Sequence, residues 1–292
     1  MVEEAMHYLA PRDGGLYFDC TAGAGGHSKE ILRRSAPNGK VVCIDTDPCA
    51  IEVLRSALGE FGERAVVVQA NFTELAQVAD RLGISQTDGI LFDLGVSSLQ
   101  LDLRERGFSY SMDAPLDMRM NPQQVLTART LVNELDEAEL ARIFCEYGEE
   151  RWGGRIARFI VERRARKTIE TTGELVDVIK AAIPASARRK GPHPAKRVFQ
   201  ALRIAVNGEL EALRQVLPVA TSILNCGGRI VVISFHSLED RIVKDWFKNC
   251  AELCVLTKKP IRPAADEITA NPRCRSAKLR AAERVLAVVE GE

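Results

Sequence analysis

The sequence predicts an α/β protein: a doubly wound, Rossmann-like sheet with an all-helical domain inserted in it. Three observations carry this expectation. Short apolar strand patterns alternate with helical patterns from Leu16 to Asp93 and again after residue 198, the order that builds a parallel sheet covered by helices. The first strand runs into Phe18-Asp19-Cys20-Thr21-Ala22-Gly23-Ala24-Gly25-Gly26-His27-Ser28, a glycine-rich turn that opens a helix, as nucleotide-binding α/β units do. From Arg104 to about Arg197 there is no convincing buried strand, only helical patterns. The expected division is residues 1–103 with 198–292 for the sheet domain and 104–197 for the insertion. Insertions near a sheet's carboxyl edge commonly select substrates.

Glu3 to Leu9 reads as a short helix leading into Pro11. Gly14-Gly15 then turn the chain into the strand Leu16-Tyr17-Phe18, which Asp19 closes. Glycine suits the loop that follows because a side chain would hold a ligand off the backbone. The helix after it offers free N–H groups to a polar ligand. Gly23 and Gly25 match the first two glycines of a dinucleotide fingerprint, but Ser28 stands at the third, and the lysine of a P-loop is missing. What remains resembles the loop of S-adenosylmethionine-dependent methyltransferases, where an amino acid tail lies on the glycines. A tight turn without a ligand is the alternative.

Pro37-Asn38-Gly39 lead into a second strand, Lys40 to Ile44, ending at Asp45. A carboxylate at that strand end typically accepts hydrogen bonds from both ribose hydroxyls. Asp45 is therefore the expected ribose ligand, and Asp47 the cap of the helix Pro48 to Leu58. The third strand is Ala65 to Gln69. Phe72, just beyond it, either covers an adenine ring or packs in the core. After a helix from Leu75 to Leu82, the fourth strand, Asp88 to Asp93, puts Asp93 close to the first loop.

Helical patterns at Leu131–Tyr147, Arg155–Arg166 and Gly173–Ile183 fill the insertion. A long helix, Ala195 to Leu217, returns to the sheet, although Gly208 within it costs roughly 1 kcal/mol relative to alanine. Gly227-Gly228 turn into strand five, Arg229 to Ser234, with Phe235-His236 at its carboxyl end. Ser237 with Asp240 reads as a capping box for the next helix. Leu253–Thr257 and Val285–Val289 finish the sheet as an antiparallel edge.

Hydrophobic residues make up 46% of the 292, enough for a core. No apolar run reaches the roughly 20 residues that span a membrane. Met1-Val2-Glu3-Glu4 lacks the basic and apolar regions of a signal peptide, so a cytoplasmic protein is expected. The eight cysteines include no C-x-x-C pair, which argues against a disulfide or zinc framework. Cys250 and Cys254 have no histidine pattern after them, so no metal is expected. The 40 basic and 40 acidic residues cancel, but unevenly: 151–197 holds thirteen Lys/Arg against four Asp/Glu, and 258–284 holds eight against three. Such segments suit either an RNA partner or solvated helix faces.

Seven blocks together resemble the MraW family, the bacterial small-subunit ribosomal RNA methyltransferases H. They are Thr21-Ala22-Gly23-Ala24-Gly25-Gly26-His27-Ser28, Asp88 through Ser98, Arg106-Gly107-Phe108-Ser109, Pro115-Leu116-Asp117-Met118-Arg119-Met120, Phe199 through Ile204, Ser234-Phe235-His236-Ser237-Leu238-Glu239-Asp240-Arg241, and Asn271-Pro272-Arg273 through Arg280. Two departures are visible. The family's usual His-Pro-Val-Leu lead-in is absent before Met1, which raises the expectation of a truncated start, and Asn121 replaces a usual Asp.

The resemblance implies a class I methyltransferase sheet and a cytoplasmic enzyme. The implied reaction methylates the exocyclic N4 amine of one cytidine in 16S ribosomal RNA, with S-adenosyl-L-methionine as donor and the RNA or ribosomal subunit as partner. Carried over by position, the cofactor contacts are Gly25, Gly26, His27, Asp45, Phe72, Asp93 and Gln100. Asp93 either accepts a hydrogen bond from the target amine or only binds the cofactor. Arg188, Arg189, Lys190, Lys196, Arg197 and Arg273 are the expected RNA contacts. His236 either meets the target base or anchors a helix turn. Two other classes are a nicotinamide-dependent oxidoreductase, disfavoured by Ser28, and an RNA-binding assembly factor without catalysis, disfavoured by the intact glycine loop, Asp45 and Asp93.

Overall fold

The computed structural model describes residues 1–188 and 193–286. They fall into two compact units, Met1–Gly95 with Leu210–Glu292, and Val96–Glu209. The expected Arg189 and Lys190 contacts lie outside the described residues.

The first unit opens with α1 (Val2–Leu9), β1 (Leu16–Asp19), α2 (Gly26–Arg34), β2 (Lys40–Asp45), α3 (Pro48–Leu58), β3 (Ala65–Gln69), α4 (Leu75–Arg81) and β4 (Thr87–Asp93). The second unit holds α5 (Ser98–Asp102), α6 (Ala128–Glu134), α7 (Glu137–Glu146), α8 (Gly153–Arg164), α9 (Thr172–Ala182), α10 (Ala185–Arg188) and α11 (Lys196–Asn207). The chain then resumes the first unit with α12 (Glu209–Ile223), β5 (Leu224–Ser234), α13 (Ser237–Asn249), β6 (Leu253–Val255), α14 (Ala265–Ala270) and β7 (Lys278–Arg284).

The sheet order is β3-β2-β1-β4-β5-β7-β6. β1 to β5 run parallel, with Phe18 opposite Val42 on one side and Ile90 on the other. β7 runs antiparallel to both β5 and β6. Strands of such a sheet are buried on both faces and read as apolar runs. Phe18, Val42, Ile44, Ile90 and Phe92 pack into one core layer. Tyr17, Val41, Cys43, Leu91 and Val231 pack into the other. The strand order reverses between β1 and β4, and ligands bind outside the carboxyl ends of strands at such a switch point.

The helical unit has its own core, in which Phe144, Ile156, Ile160, Leu175, Ile179 and Leu202 are completely buried. Two of the family blocks turn out to be its scaffolding. Gly107 has φ 68°, and a Cβ there would lie 2.2 Å from the Pro115 carbonyl oxygen. Arg106 donates to the Arg119 and Met120 carbonyls, both at 2.9 Å. Arg119 forks onto Asp117 through Nε at 2.9 Å and Nη2 at 2.7 Å.

Four expectations need correction. The helix Ala195–Leu217 is two helices, because Gly208 takes a left-handed conformation (φ 61°) and ends α11, the C-terminal role glycine fills at least cost. The helix Leu131–Tyr147 is also two, since Asp136 accepts from Glu139 N and starts α7 anew. Residues 287–289 of the expected strand Val285–Val289 lie outside the described residues, and a strand not expected stands at Lys278–Arg284, internal with β6 beside it. Its charged residues hide the strand in the sequence, but each has a distant partner: Asp240 takes Lys278 and Arg280, and Glu252 takes Arg284. Finally, the units divide at 95/96 and 209/210, so that α11 packs within the helical unit.

Candidate active site

Three of the first four parallel strands end in a carboxylate. β1 ends at Asp19, β2 at Asp45 and β4 at Asp93, while Asn71 and Phe72 follow β3. The loop after β1 is clipped from both sides. Cys20 N donates to Leu91 O and Ala22 N to Ile44 O, each at 2.9 Å. Asp93 N donates to Thr21 Oγ1 at 2.6 Å. These bonds tie the turn to β4 and β2 at the switch point.

Gly23 (φ 52°) and Gly25 (φ 85°) occupy the left-handed region, where a side chain is strained. A Cβ on Gly25 would also sit 3.1 Å from Leu54 Cδ2, whereas Gly26 opens onto free space. Gly25 is the N-cap of α2, and no side chain caps that helix. Its first N–H groups are therefore the kind that receive polar ligands.

Asp45 accepts Gly23 N at 2.8 Å through Oδ2 and Asp47 N at 2.9 Å through Oδ1. Burial raises its pKa, and these backbone donors oppose the rise. Each oxygen keeps acceptor capacity for a further donor. Asp47 performs the expected capping role, accepting Cys49 N at 3.1 Å. Phe72 lies edge-on to Phe92, with centroids 5.9 Å apart at 87°. It is half-buried against the core.

Asp93, His27 and Asp19 form a cluster with little water. His27 Nδ1 is 3.6 Å from Asp93 Oδ2. Asp93 Oδ1 and His27 Nε2 are both shut from solvent without a hydrogen-bond partner. The Asp93 side chain as a whole is 31% exposed, so one face stays open to an incoming group. Burial pushes its carboxyl up to about 7, with Glu239 adding to the rise. Burial pulls the His27 imidazole down, and the charge of Asp19 pushes it back up. Asp19 accepts Ser28 Oγ at 2.6 Å and Thr21 N at 3.3 Å. Its own carboxyl is raised, chiefly by burial.

The remaining expected residues are placed separately. Gln100 lies in the helical unit, in α5. Its side chain accepts Ser97 N at 3.1 Å, while its own N–H donates to Ser97 Oγ at 3.2 Å, a capping box. His236 caps α13: Nδ1 accepts Glu239 N at 3.4 Å, and Glu239 Oε2 accepts His236 N at 3.3 Å. The box is thus His236 with Glu239, one residue before the expected Ser237 with Asp240. Asp240 is instead held by Arg280 at 2.6 Å. Arg273 is exposed, in a 3₁₀ turn over Pro272–Ser276.

Within the helical unit, Arg188 and Arg197 line a pocket of about 230 Å³ with Glu150, Arg151, Trp152 and His193. Lys196, exposed in the first turn of α11, is not among the lining residues. Arg151 lies over the Trp152 ring at 5.4 Å. Trp152 Nε1 is buried without a partner. Arg197 donates to Glu149 O at 2.9 Å. His193 stacks on Tyr110 with ring planes 6° apart, and burial and Lys180 lower its pKa. Sequence reading named two of these residues and missed Arg151, Trp152 and His193, because none stands in a motif. Thr21, Asp19 and Ser28 were also passed over as site residues, although they adjoin the glycines it did single out.

Five parallel strands in the order 3-2-1-4-5, an antiparallel β7 between β5 and β6, and a glycine loop facing acidic strand ends define a Rossmann-like class I methyltransferase. Among the described residues no helix is long and apolar enough to cross a membrane. The model of the MraW methylase family matches residues 1–285, and the chain belongs to that family. It is similar to the ribosomal RNA small subunit methyltransferase H of Symbiobacterium thermophilum, 53% identical with 100% of this chain and 98% of the relative covered. The protein of the same name from Heliobacterium modesticaldum is 52% identical, with 98% and 97% covered. A solved rRNA methylase from Streptococcus thermophilus superposes with a TM-score of 0.46 at 10% identity, over 98% of this chain and 94% of that one.

Proposed function

We propose that this protein transfers the methyl group of S-adenosylmethionine to the N4 amine of a cytidine in 16S ribosomal RNA. The observation that carries the reading is the meeting of Asp45 and Asp93 at one glycine loop, in a chain matched from residue 1 to 285 by a methylase family. The names of the full-length relatives support small-subunit ribosomal RNA as the target. The resemblance of the motif blocks supports the cytidine amine.

The residues fit the donor. Gly26 leaves open space beside uncapped helix N–H groups, which suits an amino acid tail. Asp45 retains acceptor capacity for the ribose. The Phe72 ring is half-buried at the end of β3, where it would lie against the adenine. Gln100 and His27 are proposed as further contacts. When bound, the donor supplies an electrophilic methyl on a sulfonium.

A cytosine amine is a weak nucleophile because its lone pair is delocalised into the ring. The chain's task is to hold that lone pair in line, and alignment supplies much of the acceleration. Asp93 accepts an amine hydrogen and so favours the pyramidal nitrogen of the transition state. A strong base is unnecessary, since the proton leaves after the methyl arrives. Arg188, Lys196, Arg197 and Arg273 serve as phosphate contacts, and His236 holds the start of α13. The base must leave its stack to reach such a site.

The test is methyl transfer from labelled donor to small ribosomal subunits taken from a strain that lacks this protein. Mass mapping should find one methyl on a cytidine N4 of 16S RNA. A label on another atom, or none, defeats the reading.

A further inference from the structure

We infer that His27 and Asp93 hold one proton between them and act as a single acceptor for the proton released at the target nitrogen. The inference rests on the reading of Asp93 as the group that meets the amine, and it assigns His27 a role beyond touching the donor.

The geometry points to it directly. His27 is set at the start of α2 by the glycine turn, and Asp93 by the end of β4. Asp93 N donates to Thr21 Oγ1 at 2.6 Å, which ties the glycine turn to the end of β4. Nδ1 and Oδ2 face each other at 3.6 Å, within reach of a hydrogen bond once a ligand closes the site, because such contacts often tighten only in the complex. The outer atom of each group, Nε2 and Oδ1, has no other partner and no solvent. With Nδ1–H toward Asp93, the orphan Nε2 is a lone pair rather than a stranded N–H.

The charges around the pair are few. The charge of Asp19 at the end of β1 acts on both His27 and Asp93, that of Glu239 in α13 acts on Asp93, and the Met1 α-amino group acts on both. Burial raises the carboxyl and lowers the imidazole. Two groups so placed titrate as a pair.

The step balances simply. The nitrogen–carbon bond forms as the carbon–sulfur bond breaks, and the nitrogen carries one proton too many. That proton passes to Asp93 Oδ2, and the Nδ1–H of His27 stabilises whichever form results. No second co-reactant is needed.

The test is NMR titration of the donor-free protein, following the His27 ring in wild type and Asp93→Asn, and the Asp93 carboxyl carbon in wild type and His27→Gln. Sharing predicts that the His27 midpoint falls by about 1 pH unit in Asp93→Asn. The Asp93 midpoint should rise by the same amount in His27→Gln, since coupling is reciprocal. Either variant alone decides the matter if the other does not fold. Midpoints that stay put in a folded variant overturn the pair.

Turnover separates this from the reading beneath it. Coupled midpoints with full turnover in Asp93→Asn would leave a shared proton but overturn its role as the acceptor, and would remove Asp93 as the group that meets the amine. Lost turnover with uncoupled midpoints would keep Asp93 and refute the role of His27.

Discussion

The sheet unit and the helical unit handle charge in opposite ways. At the carboxyl edge of the sheet, Asp19 and Ser28 are sealed from water, and Asp45 and Asp93 are largely so. Their ordinary acidity is displaced by burial. In the helical unit, Arg151, Arg188, Lys196 and Arg197 stand exposed. Desolvated groups change their affinity for protons and so suit chemistry. Exposed cations suit a polyanion. The two halves of the proposed activity, transferring a methyl and gripping RNA, thus use different electrostatic means.

The sharpest way to break this contrast is Asp93→Asn. Turnover should fall about 10³-fold, with donor affinity nearly unchanged by calorimetry. An equal loss of donor affinity would reduce Asp93 to a binding residue. Next in size is Asp45→Ala, which removes an acceptor for the ribose and the clip on Gly23. Donor affinity should drop roughly 100-fold, while RNA binding, measured by filter retention, stays the same.

On the other side of the comparison, changing Arg151, Arg188 and Arg197 together to alanine should weaken RNA binding by about tenfold at moderate salt. The slope of log affinity against log salt should become shallower by about 2. Donor affinity should not move. If it does, the division of labour between the units is wrong.

The smallest effect is on stability. A carboxyl raised in the folded state favours folding at acid pH, where it is protonated in both states. That advantage is lost as pH climbs from the ordinary carboxyl value toward about 7. Asp93→Asn should therefore be the more stable protein at pH 8, by about 1 kcal/mol after allowing for the open face of the side chain, or ~3 °C in melting temperature. The gap should close by pH 4. Equal melting points at pH 8 would mean that Asp93 is not penalised by burial.

Much of the sheet unit was legible because its signals are local. α3 and β3 run over the residues expected from their apolar spacing and turn residues, and Asp47 caps where a cap was expected. Asp45 stands at the end of β2, the place its sequence pattern gave it. The failures share a cause. Gly208 and Asp136 looked tolerable inside helices, and only the packed unit shows that the chain turns there. β7 was missed because Lys278, Arg280 and Arg284 look unfit for an internal strand until Asp240 and Glu252 arrive from 32 to 40 residues away. The His236 cap was misassigned because Ser and Asp are the commoner capping residues.

By itself, the sequence determined the order of strands and helices, the glycine turn, the acid at the end of β2 and the family. Each of these depends on residues within a turn or two of one another, or on blocks read in order. Only the tertiary structure decided which acids lose their water, that His27 faces Asp93, and that arginines from separate helices share a pocket with Trp152. Desolvation and charge pairing join groups such as Thr21 and Asp93, 72 residues apart, and no local pattern in the chain encodes how much water lies between them.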